Sequence, residues 1–359
     1  MALFQQIIDQ LPAQTGALGA ILRYVMPRDF AREGFIIVAD YTVGTIAATA
    51  AAEGQLGLIK RVRFTGNDGG QNRDLVNADA LSLCQRHLSY NNSIDTPTLL
   101  SQGAGNTTGA KVLRVPFLFP PGSIEDPTRS LFLANLPRFN NDPILEISIA
   151  TQADMDVNGT PTFALTGTVS IYVVDLKRYV STDNWNFLKT DFVTYENPYT
   201  INAAAQRYNL PVPGWHFGIG MRSYSAASTL GDISQAGGVF KIQAMNVVER
   251  LIQTRDLNAL NQWSVDSDVT AAGVSGAQRN VLGTSFCWWD YLTDLTGSGV
   301  ANLDTLLNSN PYVALGTAPQ VIGDINGGAG KKIIYMHDRC YGDIAPALIA
   351  PRLLAGKAA

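Results

Sequence analysis

What most constrains this chain is a succession of short segments in which apolar and polar residues alternate with period two, each closed by a proline- or glycine-rich turn. Leu58–Thr65 (LIKRVRFT) alternates apolar with mostly basic side chains, and Asn67-Asp68-Gly69-Gly70 then turns the chain back. Period two puts successive side chains on opposite faces of a pleated strand, the pattern of a half-buried sheet. Similar strands are predicted at Phe35–Val43, Lys111–Phe119, Ser130–Leu136, Ile144–Thr151 and Phe163–Leu176. Pro120-Pro121-Gly122, Pro137, Pro143 and Asn158-Gly159 punctuate them. The stretch 179–214 is less regular, and strands return at Trp215–Tyr224, Gly238–Val247, Ser285–Tyr291, Tyr312–Leu315 and Lys331–Met336. This order is all-β, with no strand–helix–strand alternation.

Helical spacing is rare. Leu3, Phe4, Ile7, Ile8 and Leu11 fall on one apolar stripe and predict a short N-terminal helix that packs on its own domain or reaches a neighbour or a membrane surface. Asp74–Leu88 and Thr254–Trp263 predict one inserted helix in each half. Both are read as opening with the same tripeptide, Arg73-Asp74-Leu75 and Arg255-Asp256-Leu257, and the two halves share an order of elements that points to an internal duplication. The 359 residues therefore divide into an N-terminal helix or arm (1–33), two β domains (34–184 and 185–345) and a C-terminal tail (346–359).

Composition limits the chemistry. A net charge of −4 with no run of Lys or Arg argues against a nucleic-acid binder, which needs a basic face. Cys84, Cys287 and Cys340 form no CxxC pair, so neither a disulfide framework nor a zinc site is indicated. The first residues lack the basic and apolar regions of a signal peptide. Asp40, threonines and glycines interrupt Gly34–Ala52, so it does not read as a membrane span.

No catalytic constellation emerges. His87, His216 and His337 are isolated in sequence, without the paired spacing of a metal site. Gly273-Val274-Ser275-Gly276 misses the spacing of a nucleophile elbow. Gly327-Gly328-Ala329-Gly330-Lys331-Lys332 lacks the upstream glycine and the hydroxyl of a phosphate loop, and reads as a hairpin entering a strand. Asp154 and Asp156 beside Asn158-Gly159 have alternate oxygen ligands but no closing glutamate for calcium, so a solvated turn is expected. Trp288-Trp289-Asp290-Tyr291 is either core packing or a sugar platform. Catalytic, cofactor and metal residues are accordingly expected to be none.

Only 16% of residues are charged, against about 25% in a typical soluble protein. Buried interfaces are depleted in Lys, Glu and Asp. Neutral loops such as SQGAGNTTGA and SYSAASTLGDISQAGG fit surfaces that pack side by side. Two successive β domains of this length, with a short N-terminal helix and a helix in each domain, resemble the double jelly-roll major capsid proteins of tailless, icosahedral, internal-membrane bacteriophages (tectiviruses, corticoviruses and finnlakeviruses). The resemblance spans roughly 35–345. It implies two jelly rolls in each subunit, homotrimeric capsomers of pseudo-hexagonal outline, and a non-enzymatic subunit of the virion assembled in the host cytoplasm. Its partners would be copies of itself, penton and minor capsid proteins and the internal membrane, with no specific nucleic acid. Leu3, Phe4, Ile7, Ile8 and Leu11 would face that membrane or a neighbouring capsomer. The alternatives are a carbohydrate-binding or hydrolytic β-sandwich such as a viral spike, an accessory shell component, and a cytosolic enzyme with an unrecognised site.

Overall fold

The computed structural model describes residues 4–43, 53–68, 70–91, 109–119, 134, 136–155, 163–164, 167–178, 189–209, 214–226, 229–231, 233, 239–244, 247–253, 286–290, 313–315 and 320–341. The first half contributes β1 (Phe4–Gln10), β2 (Gln14–Thr15), β3 (Ile21–Val25), β4 (Ala31–Val43), β5 (Ile59–Asp68) and β6 (Gln71–Ala78). Helix α1 (Ala80–Asn91) follows, then β7 (Gly109–Leu118), β8 (Ile144–Ile149), the single turn α2 (Gln152–Met155), β9 (Phe163–Ala164) and β10 (Thr168–Arg178). The second half contributes β11 (Lys189–Pro198), β12 (Ala203–Asn209), β13 (Gly214–Ala226), β14 (Thr229–Leu230) and β15 (Val239–Ala244). It ends with β16 (Val247–Gln253), β17 (Phe286–Asp290), β18 (Val313–Leu315), β19 (Gln320–Ile325) and β20 (Lys332–Tyr341).

These strands form three sheets. A six-stranded sheet runs β1-β10-β4-β7, with β2 and β9 at its margins. A ten-stranded sheet runs β14-β13-β20-β11-β6-β5-β8-β3, with β17 and β18 paired to β13. A four-stranded sheet runs β12-β19-β15-β16. The ten-stranded sheet crosses from one half of the chain to the other where β6 and β11 pair in parallel, Phe192 opposite Val76 and Val193 opposite Asn77.

That central sheet uses its two faces differently along its width. In β3, β5 and β8 burial alternates, so Leu22, Tyr24, Val62, Phe64, Leu145 and Ile147 point inward. They pack with Phe35, Ile37, Val115, Phe117 and Ile171 of the six-stranded sheet in one core, which also takes in Phe192, Trp288, Ile334 and Met336 from the second half. Phe35 and Phe117 stack at 5.3 Å, and Phe117 reaches Phe192 at 6.2 Å. In β13 and β20 both faces are buried, as in the continuous runs Gly218–Tyr224 and Ile333–Asp338. Val193, Ile219, Met221, Ile333 and Tyr335 fill the opposite face, where the Tyr335 ring stacks on Tyr208 of β12 at 3.8 Å. The two sandwiches thus lie on opposite faces of one shared sheet.

The N-terminal stripe is a correction to the sequence reading. Residues 4–10 are not helical: β1 pairs antiparallel with β10, from Phe4 opposite Arg178 to Gln10 opposite Tyr172. A seven-residue ladder against an apolar strand outweighs a helical spacing too short to hold itself, since isolated short helices are marginal. The first inserted helix also begins later than expected. Arg73-Asp74-Leu75 lies in β6, held by the hairpin with β5, and Asp79 starts α1 by accepting the Ser82 amide at 2.7 Å. Thr254–Trp263 lies outside the described residues, as does most of Ser130–Leu136. The stretch read as irregular holds β11 and β12, whose polar residues and Pro198 hide their period. The hairpin at Asn67–Gly70 and the strands over Lys111–Phe119, Ile144–Thr151 and Trp215–Tyr224 form as predicted.

Candidate assembly surface

The junction of the two halves is held by arginines in otherwise apolar surroundings. Arg86 of α1 bonds Asp338 of β20 at 2.8 Å, with both side chains almost wholly buried. It also donates to the carbonyls of Leu118 and Phe119, and its guanidinium lies 4.8 Å from the Phe117 ring centre. Arg222 of β13 is fully buried and donates to Asp79 at 2.7 Å, to Ser82 and Gln85 at 2.9 Å each, and to the Tyr224 hydroxyl at 3.0 Å. Tyr224 in turn donates to Glu53 at 2.6 Å. Burial pushes the Asp79 carboxyl up, but Arg222 and Ser82 together hold it below the ordinary carboxylate range. Each of these bonds joins a first-half residue to a second-half residue, or supports one that does. Within the first half, Arg32 and Asp175 form a similar buried pair, bonded at 2.6 and 3.0 Å.

Where β6 and β11 diverge beyond their short parallel pairing, a polar cleft of about 340 Å³ opens. Arg63, Arg73, Asp74, Asp191, Tyr195 and Arg339 line it. Arg339 holds Asp191 through two bonds, at 2.6 and 3.0 Å, yet burial raises the Asp191 carboxyl above its ordinary value. Beyond the cleft, no strand or helix among the described residues covers the outer face of β6, β5, β8 and β3. Arg23 bonds Glu146 at 2.7 Å, Glu146 lies 3.8 Å from Arg63, and Arg63 bonds Asp74 at 2.8 Å. Four charges of alternating sign therefore cross four strands in the order β3-β8-β5-β6. Ile21, Val25 and Ile144 flank them on the same face, 61%, 64% and 41% exposed.

The residues singled out in sequence scatter. Ile8 is 61% exposed, Ile7 is half-buried and Leu11 is buried in the first core. Leu3 and the side chain of Phe4 lie outside the described residues. Trp288 is buried and packs on Gly220, where a Cβ would come within 2.6 Å of its ring, so Trp288 is core and not platform. The Trp289 side chain and Tyr291 lie outside the described residues. Asp154 bonds Lys60 at 2.8 Å and caps the α2 turn through Thr151, and Asp156 is outside the description. Gly327–Gly330 forms the turn into β20, with Gly330 at φ 74°, a conformation that favours glycine. His337 is buried between Tyr195 and Tyr208, while His87 is on α1. His216 is on β13. Among the described residues no group of three His, Cys, Asp or Glu side chains could hold a metal, and no helix is long and apolar enough to cross a membrane. Cys84 is buried in α1, and burial pushes its thiol up.

Sequence reasoning missed Arg86 and Arg222. For Arg222 the available signal was a charge inside a strand otherwise free of charge, as in GIGMRSY, and for Arg86 a charge within the apolar run of α1.

No protein-family profile and no curated protein sequence matches the chain. Solved structures do. The chain is similar to the STIV MCP, of Sulfolobus Turreted Icosahedral Virus, with a TM-score of 0.61, 11% identity, and coverage of 94% of this chain and 96% of that one. It is similar to PBCV-1 VP54, with a TM-score of 0.55, 11% identity and coverage of 95% and 94%. It is also similar to the major capsid protein P2 from bacteriophage PM2, with a TM-score of 0.50, 13% identity and coverage of 94% and 98%. Those proteins are double jelly-roll capsid proteins, and this chain has the all-β double jelly-roll fold that they share.

Proposed function

We propose that the chain is the major capsid subunit of an icosahedral virion, a structural protein without catalytic activity. The observation that carries this reading is the extent of the shared fold: it takes in at least 94% of this chain and of each of three capsid proteins. In this reading residues 34–184, joined in their sheets by β1–β3, and residues 185–345 are the two jelly rolls. Three subunits then offer six similar edges, so a single gene product can tile a hexagonal lattice, and cyclic closure keeps the trimer finite. The shell encloses an internal membrane, and penton and minor proteins complete it. Exposed Ile8 on edge strand β1 supports a neighbour- or membrane-facing role for that residue, whereas Leu11 serves its own core.

Size-exclusion chromatography with light scattering, followed by negative-stain microscopy, tests the proposal. A trimer with a hexagonal outline is expected. A chain that stays monomeric at every concentration overturns the capsid reading.

A further inference from the structure

The outer face of β3, β8, β5 and β6 carries a charged side chain from each of its four strands. Read across the strands, four of its charges run Arg23 plus, Glu146 minus, Arg63 plus and Asp74 minus, and exposed Arg61 lies beside them on β5, bonded to Asn77. Their side chains are 71%, 22%, 41% and 23% exposed, so the row is accessible along its whole length. A row of plus, minus, plus, minus becomes its own complement when reversed. A twofold axis lying in the face, parallel to the strands and between β8 and β5, performs that reversal. It sets Glu146 against Arg63 of a second copy, twice across the axis, and brings Arg23 of one copy over the strand that carries Asp74 of the other, two positions along it. Any other partner would have to match the alternation independently.

Apolar side chains lie beside the row. Ile21 and Val25 on β3 and Ile144 on β8 are exposed on this face, contiguous with the charges rather than scattered singly. On the second half of the same sheet the equivalent face is covered by the four-stranded sheet, where Tyr208 stacks on Tyr335. On the first half nothing among the described residues covers it.

We infer that this face is a self-complementary contact that joins two copies of the chain about a twofold axis. The inference rests on the shell reading and extends it: this contact joins subunits of different capsomers and is separate from the trimer contacts. Electrostatic pairing of this kind selects partner and register, with the apolar flanks supplying buried area.

Complementary variants test it in the intact chain. Arg63→Glu sets a new carboxylate against Glu146 of the second copy, so two like charges meet twice across the axis. Glu146→Arg does the converse, setting a new guanidinium against Arg63. Mixed one to one, the two variants again place opposite charges at both central positions. Sedimentation velocity over a concentration series should show the parent protein associating beyond its trimer, more weakly in high salt. Each variant alone should associate at least about tenfold more weakly, and the mixture should recover most of the loss. Recovery in the mixture also shows that both variants are folded. If each variant associates as tightly as the parent, or the mixture does no better than its components, the twofold contact is overturned while a persisting trimer leaves the shell reading intact. A parent chain that remains monomeric overturns the shell reading itself.

Discussion

Asp338 and Asp79 are where single side chains matter most. Both face a buried arginine from the other half of the chain, and removing one partner of such a pair strands the other charge away from water. Asp338→Asn is expected to lower unfolding stability by roughly 3–5 kcal/mol, measured by urea titration, because Arg86 keeps its charge and its burial. Asp79 also links stability to pH. Its folded carboxyl is held below the ordinary range, so its contribution is fully present above about pH 4 and is lost as pH falls through the depressed value. Asp175 and Asp191 act in the opposite sense, since burial raises them and acid relieves the cost of their charge. Stability curves from pH 7 to pH 2 should therefore fall less steeply below about pH 4 for Asp79→Asn than for the parent protein. Equal slopes would mean that Asp79 carries no such linkage. Neither aspartate could be picked out in the sequence, because Asp79 before α1 and Asp338 beside Arg339 do not reveal their distant counter-charges.

At the level of elements, β1 shows how a periodicity can mislead. Its apolar residues fit a helical stripe, but β10 (TVSIYVVDLKR) needs a partner on that side, and the ladder of seven residue pairs decides the conformation. The outcome separates two residues of one predicted stripe. Leu11→Ala removes a buried side chain and should cost about 2–5 kcal/mol in chemical denaturation. Ile8→Ser changes an exposed position on an edge strand and should leave stability within about 0.5 kcal/mol, yet reduce the yield of assembled particles counted by negative-stain microscopy. A large stability loss in Ile8→Ser would assign that residue to the core instead. Strands with one wet face, such as β5 and β8, were legible because their alternation is visible. By contrast, β11 was lost in sequence: its neighbours cover much of both faces, so its polar residues follow local partners such as Arg339 and not a simple period.

For the whole molecule, one sheet serves two sandwiches. The ten-stranded sheet passes through the seam between β6 and β11, and the first core recruits Phe192, Trp288, Ile334 and Met336 from the second half. The halves should therefore melt together, as a single calorimetric transition whose van't Hoff and calorimetric enthalpies agree. Two resolved transitions in the parent protein would contradict the shared core. The low charge content read from composition also becomes concrete at this scale: it is met in part by strands such as β13, which carries one charge and is buried on both faces over Gly218–Tyr224.

By itself the sequence determined the all-β class, the position of many strands and the first hairpin, because period two and turn residues are local physics. It also lacked the particular spacings of a nucleophile elbow, a phosphate loop and a paired-histidine metal site. The tertiary structure decided what depends on distant partners. It made β1 a strand, because only the folded chain supplies β10 beside it. It placed the two cores on opposite faces of one sheet. It also brought Arg23, Glu146 and Arg63 together by register and Asp74 to Arg63 by a diagonal side-chain bond, since residues from four separate strands become neighbours only in the folded sheet.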